Sequence, residues 1–280
     1  MKTSILFLFL GLSTLTFAQV PTVNIVVEEL PMPGELIPSS GLPYRTYRLY
    51  LEPSPNWELL SIYGLQGSPL VIETLGDFYQ NPLGGPTSLD IDAALIPSNP
   101  SLAFDSWLTI GAESSLNNLL FSVPIDGSVF TNWELGNDLI IDDIIGGSVA
   151  IPSPGFLTQN VPDENGRILI AQLTSNSTIS GQINSQFRLL NEDGSIFLQS
   201  GGGGPVSALI TNEFSIPYYI LCPSDFNSSG NVDISDLLIF LSNFGCSGDC
   251  VADLTGDNAT TVADMLQFLS EIGQSCLSEF

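Results

Sequence analysis

The chain has 280 residues, among them five lysine and arginine residues, 30 aspartate and glutamate residues and no histidine. Its formal net charge of −25 argues against nucleic acid and anionic lipid as partners, because like charges repel. The missing histidine excludes histidine-based zinc sites and histidine-dependent nucleophilic catalysis.

Residues 1–18 have the layout of a secretory signal peptide, with Lys2, an apolar run from Ile5 to Leu12 and small residues before Gln19. No later run approaches the ~18 uncharged residues that a membrane-spanning helix needs. Without residues 1–18, four arginines and 30 carboxylates leave a mature charge of −26. We therefore predict a secreted or cell-surface protein that does not insert into the membrane after signal cleavage.

Residues 19–220 are predicted to form an antiparallel β-sandwich. Short apolar or alternating runs recur there between Pro, Gly, Asn and Asp, and none sustains a helical period. Two stacked sheets would each bury one face, although two smaller sandwiches divided near Gly111 also fit the pattern. The predicted strands are TVNIVVEE, YRTYRLYLE, WELLSIYG, LVIETL, SWLTIGA, GRILIAQLTS, STISGQINSQFRLL, SIFLQS and VSALITNEF.

Three local features refine this sandwich. In YRTYRLYLE the side chains of Tyr47, Leu49 and Leu51 share one face, which we expect to lie in the core. The Asp193-Gly194 pair in NEDGS predicts a hairpin turn. The run Gly201–Gly204 fits an exposed loop within the sandwich better than a linker, because the strand-like VSALITNEF follows it.

The sandwich region predicts no catalytic site. Exposed aromatic side chains on a sandwich can stack on sugar rings, but we expect most of these in the core. Neighbouring acidic residues on a strand point to opposite faces, so we expect solvated faces, loop tips or further calcium ligands rather than glycosidase carboxylates. The aromatic candidates are Trp57, Trp107, Trp133, Tyr63, Tyr79 and Tyr218-Tyr219, and the acidic ones are Glu28-Glu29, Asp90/Asp92 and Asp142-Asp143.

Residues 221–280 contain two copies of one pattern. The segments Cys222–Gly245 and Cys250–Gly273 align with a constant offset of 28 residues, which indicates one structural unit used twice. Each copy has a helical stripe of apolar residues that ends at a glycine, Gly245 or Gly273. The two stripes are Leu237, Phe240, Leu241 and Phe244, and Met265, Phe268, Leu269 and Ile272.

A calcium loop precedes each predicted helix. Calcium takes roughly six to eight oxygen ligands, which alternate side chains, one carbonyl and a closing carboxylate can supply. Gly230 and Asn258 occupy the sharp turn of each loop, since both tolerate positive φ. The predicted ligands are Asp225, Asn227, Ser229, Asn231 (carbonyl), Asp233 and Asp236 in the first loop, and Asp253, Thr255, Asp257, Ala259 (carbonyl), Thr261 and Asp264 in the second.

We therefore expect two calcium ions per chain, with dissociation constants on the order of 10⁻⁴ to 10⁻³ M, as in extracellular modules. Chance Asp-x-Asn patterns in an acidic chain, with an ordinary helical hairpin, are the alternative. The segments Val232–Ile234 and Thr260–Val262 are expected to pair as a short bridge between the loops.

The repeat, at about residues 221–275, resembles the type I dockerin family, in which tandem loop-helix repeats close each loop with Asp. The resemblance implies a calcium-folded module that attaches its partner domain to a cohesin-type receptor, most often on polysaccharide-degrading assemblies. The family's Ser-Thr recognition pair is replaced here by Ile234-Ser235 and Val262-Ala263.

All four cysteines fall in this region, and an even count in an exported chain predicts two disulfides. Dockerin-like modules bring their ends together, which implies Cys222 with Cys276 and Cys246 with Cys250. Pairing Cys222 with Cys246 and Cys250 with Cys276 stays open, as does thiolate metal ligation.

The sequence favours a secreted, non-catalytic binding or adhesion protein that docks on a cohesin-like or cell-surface receptor. A carbohydrate-binding subunit or glycoside hydrolase, delivered to a polysaccharide by the tail, is the second hypothesis. A structural surface or matrix component is the third.

Overall fold

The structure is a computed structural model, and it describes residues 20–31, 44–123, 127–152, 159–199, 204–218, 222–227, 229–248, 250–274 and 276. The predicted signal peptide and the predicted boundary at residue 220 lie outside these residues. No helix within these ranges has the length and apolar character needed to cross a membrane.

The fold is mainly β, with two antiparallel sheets, as predicted. The strands are β1 (Val23–Leu30), β2 (Arg45–Pro53), β3 (Trp57–Gly64), β4 (Leu70–Thr74), β5 (Trp107–Leu108), β6 (Phe121–Val123), β7 (Leu139–Ile141), β8 (Gly147–Ala150), β9 (Ile168–Ser175), β10 (Ile179–Leu189) and β11 (Ser207–Ile216). One sheet has the order β1-β2-β9-β5, and the other has the order β6-β8-β3-β10-β4-β7, with β11 also paired to β10. The helices are α1 (Gly127–Trp133), α2 (Ile234–Asn243) and α3 (Val262–Glu271).

The main hydrophobic core lies between the two sheets. It contains Leu49 and Leu51 of β2 together with Leu59 and Ile62 of β3, so the sheets pack face to face. Tyr47 belongs to the same core, which confirms the predicted inner face of β2. The three tryptophans are also buried, so they contribute to packing rather than to an exposed sugar platform.

The other face of β2 is covered as well. Tyr50 packs with Leu169 of β9 and Trp107 of β5 in a second hydrophobic cluster. Ile91 and Leu102 complete this cluster, and they come from the long connection between β4 and β5. That connection contains two short 3₁₀ helices, so it buries part of the outer face of the four-stranded sheet.

Several predicted elements differ in the structure. SIFLQS forms isolated bridges rather than a strand, and only Trp107–Leu108 of SWLTIGA is a strand. The sequence of the sandwich region sustains no helical period, whereas α1 forms there, together with the unpredicted short strands β6, β7 and β8. Elements of this length are stabilised by non-local contacts, so their own periodicity is weak.

Two predicted features near the end of the sandwich are confirmed. The NEDGS turn closes with a 2.7 Å hydrogen bond from the Asn191 backbone N–H to the Ser195 carbonyl, and Gly194 has a φ of +80°. VSALITNEF forms β11, which pairs with β10 as a neighbour in the same sheet. The glycine run before it lies mostly outside the described residues.

Two acidic side chains of the sandwich have strongly raised pKa values. Burial raises the pKa of Asp105 to about 7, although the Asn81 and Gly85 backbone N–H groups donate to its carboxylate at 2.6 and 3.2 Å. Burial and the negative charge of Asp90 raise the pKa of Glu134 to about 7. The Oε1 atom of Glu134 is buried, and no described residue donates a hydrogen bond to it.

The Glu134→Gln substitution is expected to stabilise the protein at pH 8 and not at pH 4. The ordinary pKa of Glu134 is about 4.5, so between pH 4.5 and 7 the folded protein holds a proton that the unfolded chain has lost. The free energy of unfolding therefore falls as the pH rises through this window. Allowing for solvent screening, we expect a gain of about 1–2 kcal/mol at pH 8, measured by thermal unfolding. An equal gain at both pH values would contradict this assignment.

Candidate metal centre

The predicted loops lead directly into α2 and α3, and the first turn of each helix holds the closing carboxylate in place. Asp233 caps α2 by accepting a 2.7 Å hydrogen bond from the Ser235 backbone N–H. The Asp233 N–H donates in return to Asp236 at 3.0 Å, which completes a capping box. Thr261 and Asp264 form the same arrangement at α3.

The closing carboxylates also reach back to the beginning of each loop. Asp236 accepts a 3.1 Å hydrogen bond from the Asn227 backbone N–H. Asp264 accepts from the Thr255 N–H and hydroxyl at 2.9 and 3.0 Å. Burial disfavours the charged form of Asp264, but the hydrogen bonds from Thr261 and Thr255 outweigh it and hold its pKa below the ordinary value. Asp264 therefore presents a carboxylate, the ligand form that a hard cation needs.

The first carboxylate of each loop organises the turn. Asp225 accepts backbone hydrogen bonds from Ser229 and Gly230 at 3.0 and 2.9 Å. Asp253 accepts from Asn258 at 2.7 Å and from two further backbone N–H groups of its loop. Gly230 and Asn258 both have positive φ, at 87° and 66°, which confirms the predicted turn positions.

Three acidic side chains converge in the second loop. Oxygen atoms of Asp253, Asp257 and Asp264 lie within 4.8 Å of one another. Calcium–oxygen bonds of about 2.3–2.6 Å could connect such atoms through one ion. Each arginine pairs with another acidic residue, so within the described part of the chain no ion pair compensates this group. Three uncompensated like charges at this spacing favour a bound cation.

The remaining predicted ligands have other contacts. The Thr255 hydroxyl donates to Asp264, and Thr261 caps α3. The Ala259 N–H donates to Asp257 at 3.0 Å. In the first loop, the Ser229 hydroxyl donates to the Asn231 carbonyl at 3.2 Å. Asn227 accepts from the Ser229 N–H at 2.9 Å, while Asp233 serves as the α2 cap.

The two loops are therefore unequal. The first has amide and hydroxyl side chains, Asn227 and Ser229, where the second has Thr255 and Asp257. Only the second brings three acidic side chains within 4.8 Å of one another among the residues that the structure describes.

Each loop pairs with the end of the opposite helix rather than with the other loop. The Val232 N–H donates to the Gln274 carbonyl at 3.0 Å, and the Gly273 N–H donates to the Val232 carbonyl at 2.8 Å. The predicted bridge between the loops is therefore wrong at this position, since both backbone groups of Val232 pair elsewhere. The equivalent bonds, 28 residues away, join Thr260 to Cys246 and Gly245.

Two disulfides close this part of the chain, Cys222–Cys276 and Cys246–Cys250. This is the pairing that the dockerin resemblance implies, and the pairing of Cys222 with Cys246 is wrong. No cysteine is free, so thiolate metal ligation is wrong as well. Beneath the loops, Phe226, Phe240 and Phe268 form an aromatic core, with Phe226 stacked on Phe268 at 6.2 Å between ring centroids.

The apolar stripes of the two helices are only half buried. Phe240 and Phe268 are fully buried and Leu237 and Met265 partly so, whereas the other stripe members are exposed. Leu241 and Leu269, which belong to the predicted stripes, lie in a second row that faces solvent and that begins at Ile234 and Val262, with spacings of four and three residues. Its exposed fractions match between the repeats, at 65% and 64% for Ile234 and Val262, 63% and 65% for Leu238 and Leu266, and 50% and 49% for Leu241 and Leu269.

Comparison with known proteins identifies no family for this chain. A scan against protein-family models, a search of curated proteins and a search of solved structures each find no match to this chain. Function must therefore be inferred from the residues of the loops, helices and sheets.

The turn of the second loop provides a test of the loop conformation. Asn258 has a φ of 66°, where an ordinary side chain costs about 1–2 kcal/mol. Asn258→Ala is therefore expected to lower the stability of this loop by about 1 kcal/mol, while Asn258→Gly should leave it unchanged or raise it. The stability of both variants would be measured by amide hydrogen exchange of α3. Equal destabilisation by Ala and Gly would contradict the left-handed turn.

Proposed function

We propose that the chain is a secreted, non-catalytic binding or adhesion protein. Its carboxyl-terminal repeat binds calcium and docks the protein on a protein receptor. The convergence of Asp253, Asp257 and Asp264 carries this proposal, because these carboxylates have no cationic partner among the described residues. Two disulfides agree with an exported protein.

The donor set suits calcium better than a softer metal. It consists of carboxylate, amide, hydroxyl and carbonyl oxygens, with no imidazole in the chain and no free thiolate. Asp253, Asp257 and Asp264 would hold the ion in the second loop, and Asp225, Asn227 and Asp236 are the candidates in the first. When bound, calcium would neutralise Asp236 and Asp264, which also accept hydrogen bonds from the helix caps, so binding would stabilise both loops and helices.

The docking surface in this proposal is the solvent-facing apolar row of α2 and α3. Isolated exposed apolar residues are ordinary, but here three positions repeat with matched exposure on two helices. The row begins at Ile234 and Val262, the positions that the dockerin resemblance associates with receptor recognition. A cohesin-type receptor is therefore the partner that we propose to test first.

Charged side chains placed in this apolar row are expected to weaken docking strongly without unfolding the repeat. In biolayer interferometry against a panel of purified cohesin domains in calcium, Leu238→Lys with Leu266→Lys should weaken binding by about 100-fold or more. Leu209→Lys is the matched control, because Leu209 is equally exposed (65%) but lies on β11. Binding that survives the double substitution, or failure of every cohesin to bind, would contradict this docking proposal.

A further inference from the structure

A polar cleft of about 390 Å³ opens beside the second hydrophobic cluster of the sandwich. Its lining comes from β1, β2 and β9 and from the segments at 111–113 and 159–167. The volume falls within the roughly 300–1,000 Å³ typical of small-molecule sites. None of its lining residues belongs to the loop-helix repeat, so an inference about the cleft does not rest on the docking proposed above.

Charged side chains on the cleft form ion pairs with one another. The Arg48 guanidinium donates to both carboxylate oxygens of Glu113, at 2.9 and 2.8 Å. Arg167 donates to Glu28 at 2.9 Å, and its guanidinium lies over the Tyr50 ring at 4.0 Å from the centroid. These contacts orient the groups before any ligand arrives, and such preorganisation lowers the entropic cost of binding.

These ion pairs leave hydrogen-bonding capacity toward the cleft. The carboxylates remain well exposed, with 61% for Glu113 and 43% for Glu28, although each is held by an arginine. A carboxylate has about four acceptor sites and a guanidinium has five N–H donors, so neither group is saturated by its partner. Val161 adds a half-buried apolar side chain to the lining, whereas Ile168 and Leu169 form its floor and are only 1% and 6% exposed.

We propose that this cleft binds a neutral saccharide. A pair of neighbouring sugar hydroxyls can donate to Glu28 or Glu113 and accept from Arg48 or Arg167, while the C–H face of the ring packs against Val161. The same side chains suit an anion poorly. Three carboxylates, including that of Asp163, face two guanidinium groups there, in a chain of net charge −25.

A metal ion suits the cleft poorly as well. Glu28, Glu113 and Asp163 each pair with an arginine. Within the described residues, they do not form a group of three acidic side chains whose oxygens all lie within 4.8 Å of one another. A ligand that both donates and accepts hydrogen bonds and carries no charge matches this lining best.

The sheet itself supplies a matched control. Glu29 lies on β1 beside Glu28, and Arg45 lies on β2 with Arg48. Glu29 and Arg45 form an ion pair at 2.7 Å, but neither lines the cleft. Binding of cellohexaose, xylohexaose, mannohexaose and laminarihexaose would be measured by calorimetry, with an alginate hexamer as the anionic probe. For a neutral probe that binds, Glu28→Gln with Glu113→Gln should weaken binding by about 10- to 100-fold, and Glu29→Gln should not.

A second measurement on the unmodified protein does not depend on the folding of any variant. The chain has four arginines, so its side-chain Nε–H signals in a ¹⁵N–¹H spectrum are few. The bound saccharide is expected to shift the Arg48 and Arg167 signals and to leave those of Arg45 and Arg188 in place. Absence of binding by all four neutral probes, binding of alginate alone, or shifts confined to Arg45 and Arg188 would overturn the proposal.

Discussion

Calcium is expected to slow amide hydrogen exchange in α2 and α3 by about 10- to 100-fold per site relative to EGTA. At about 10 mM calcium, a dissociation constant of 10⁻³ to 10⁻⁴ M stabilises the folded loop by about 1.4–2.7 kcal/mol. The first turn of each helix contains the closing carboxylate of its loop, Asp236 or Asp264, so the ion and the helix starts are coupled. Exchange in β9 and β10, the central strands of the sandwich, serves as an internal reference.

The Asp253→Ala substitution should remove most of this calcium effect from α3. It deletes one of the three converging carboxylates and also the acceptor for the Asn258 backbone N–H. Some destabilisation is therefore expected in EGTA as well, and the difference between the two buffers is the diagnostic quantity. Asp142→Ala, an exposed acidic residue outside the repeat, is the control. Equal protection of α2 and α3 in calcium and EGTA for the parent protein would contradict calcium-ordered loops.

Removing the Cys222–Cys276 disulfide should destabilise the repeat more than removing Cys246–Cys250. The two bonds close loops with sequence separations of 54 and 4 residues. Loop-closure entropy then predicts losses of about 4 and about 2 kcal/mol for the paired Cys→Ser variants. The longer bond also joins the two ends of the repeat, next to the backbone pairing of Val232 with Gln274.

The loss of stability in each disulfide variant would be measured by unfolding α2 and α3 in urea, with hydrogen exchange of the two helices as the signal. Serine is close to cysteine in size, so lost packing contributes little at Cys246, while Cys276 is buried and adds a packing loss to its variant. The order of the two effects is the test. A larger loss for the Cys246→Ser/Cys250→Ser variant would contradict the assignment of the long bond as the main covalent constraint.

Local sequence determined the loops and helices of the repeat better than the sandwich. The turn at Asn258 and the presence of a helix after each loop depend on contacts within a few residues, so spacing alone predicts them. The pairing of Val232 with Gln274 joins positions far apart in the chain, and local pattern predicted the wrong partner. Only half of each predicted apolar stripe is buried, because each helix of a two-helix repeat has one covered side.

In the sandwich, too, local sequence pattern did not predict contacts between residues that are distant in the chain. Long alternating strands such as β2 were predicted, but alternation did not reveal that Tyr50, on the supposed outer face, is buried by the connection after β4. The cleft groups Arg48, Glu113 and Arg167 come from β2, a loop and the segment before β9. No short-range pattern links them, because their proximity depends on the sheet order and on ion pairs between distant residues.

Isothermal titration calorimetry of calcium into the purified protein tests the metal centre most directly. Two ions per chain are expected to bind the parent, with dissociation constants on the order of 10⁻⁴ to 10⁻³ M, and none in this range should bind the Asp225→Ala/Asp253→Ala variant. Identical calcium uptake by the parent and this variant, or no uptake by the parent, would show that these loops do not hold the ion.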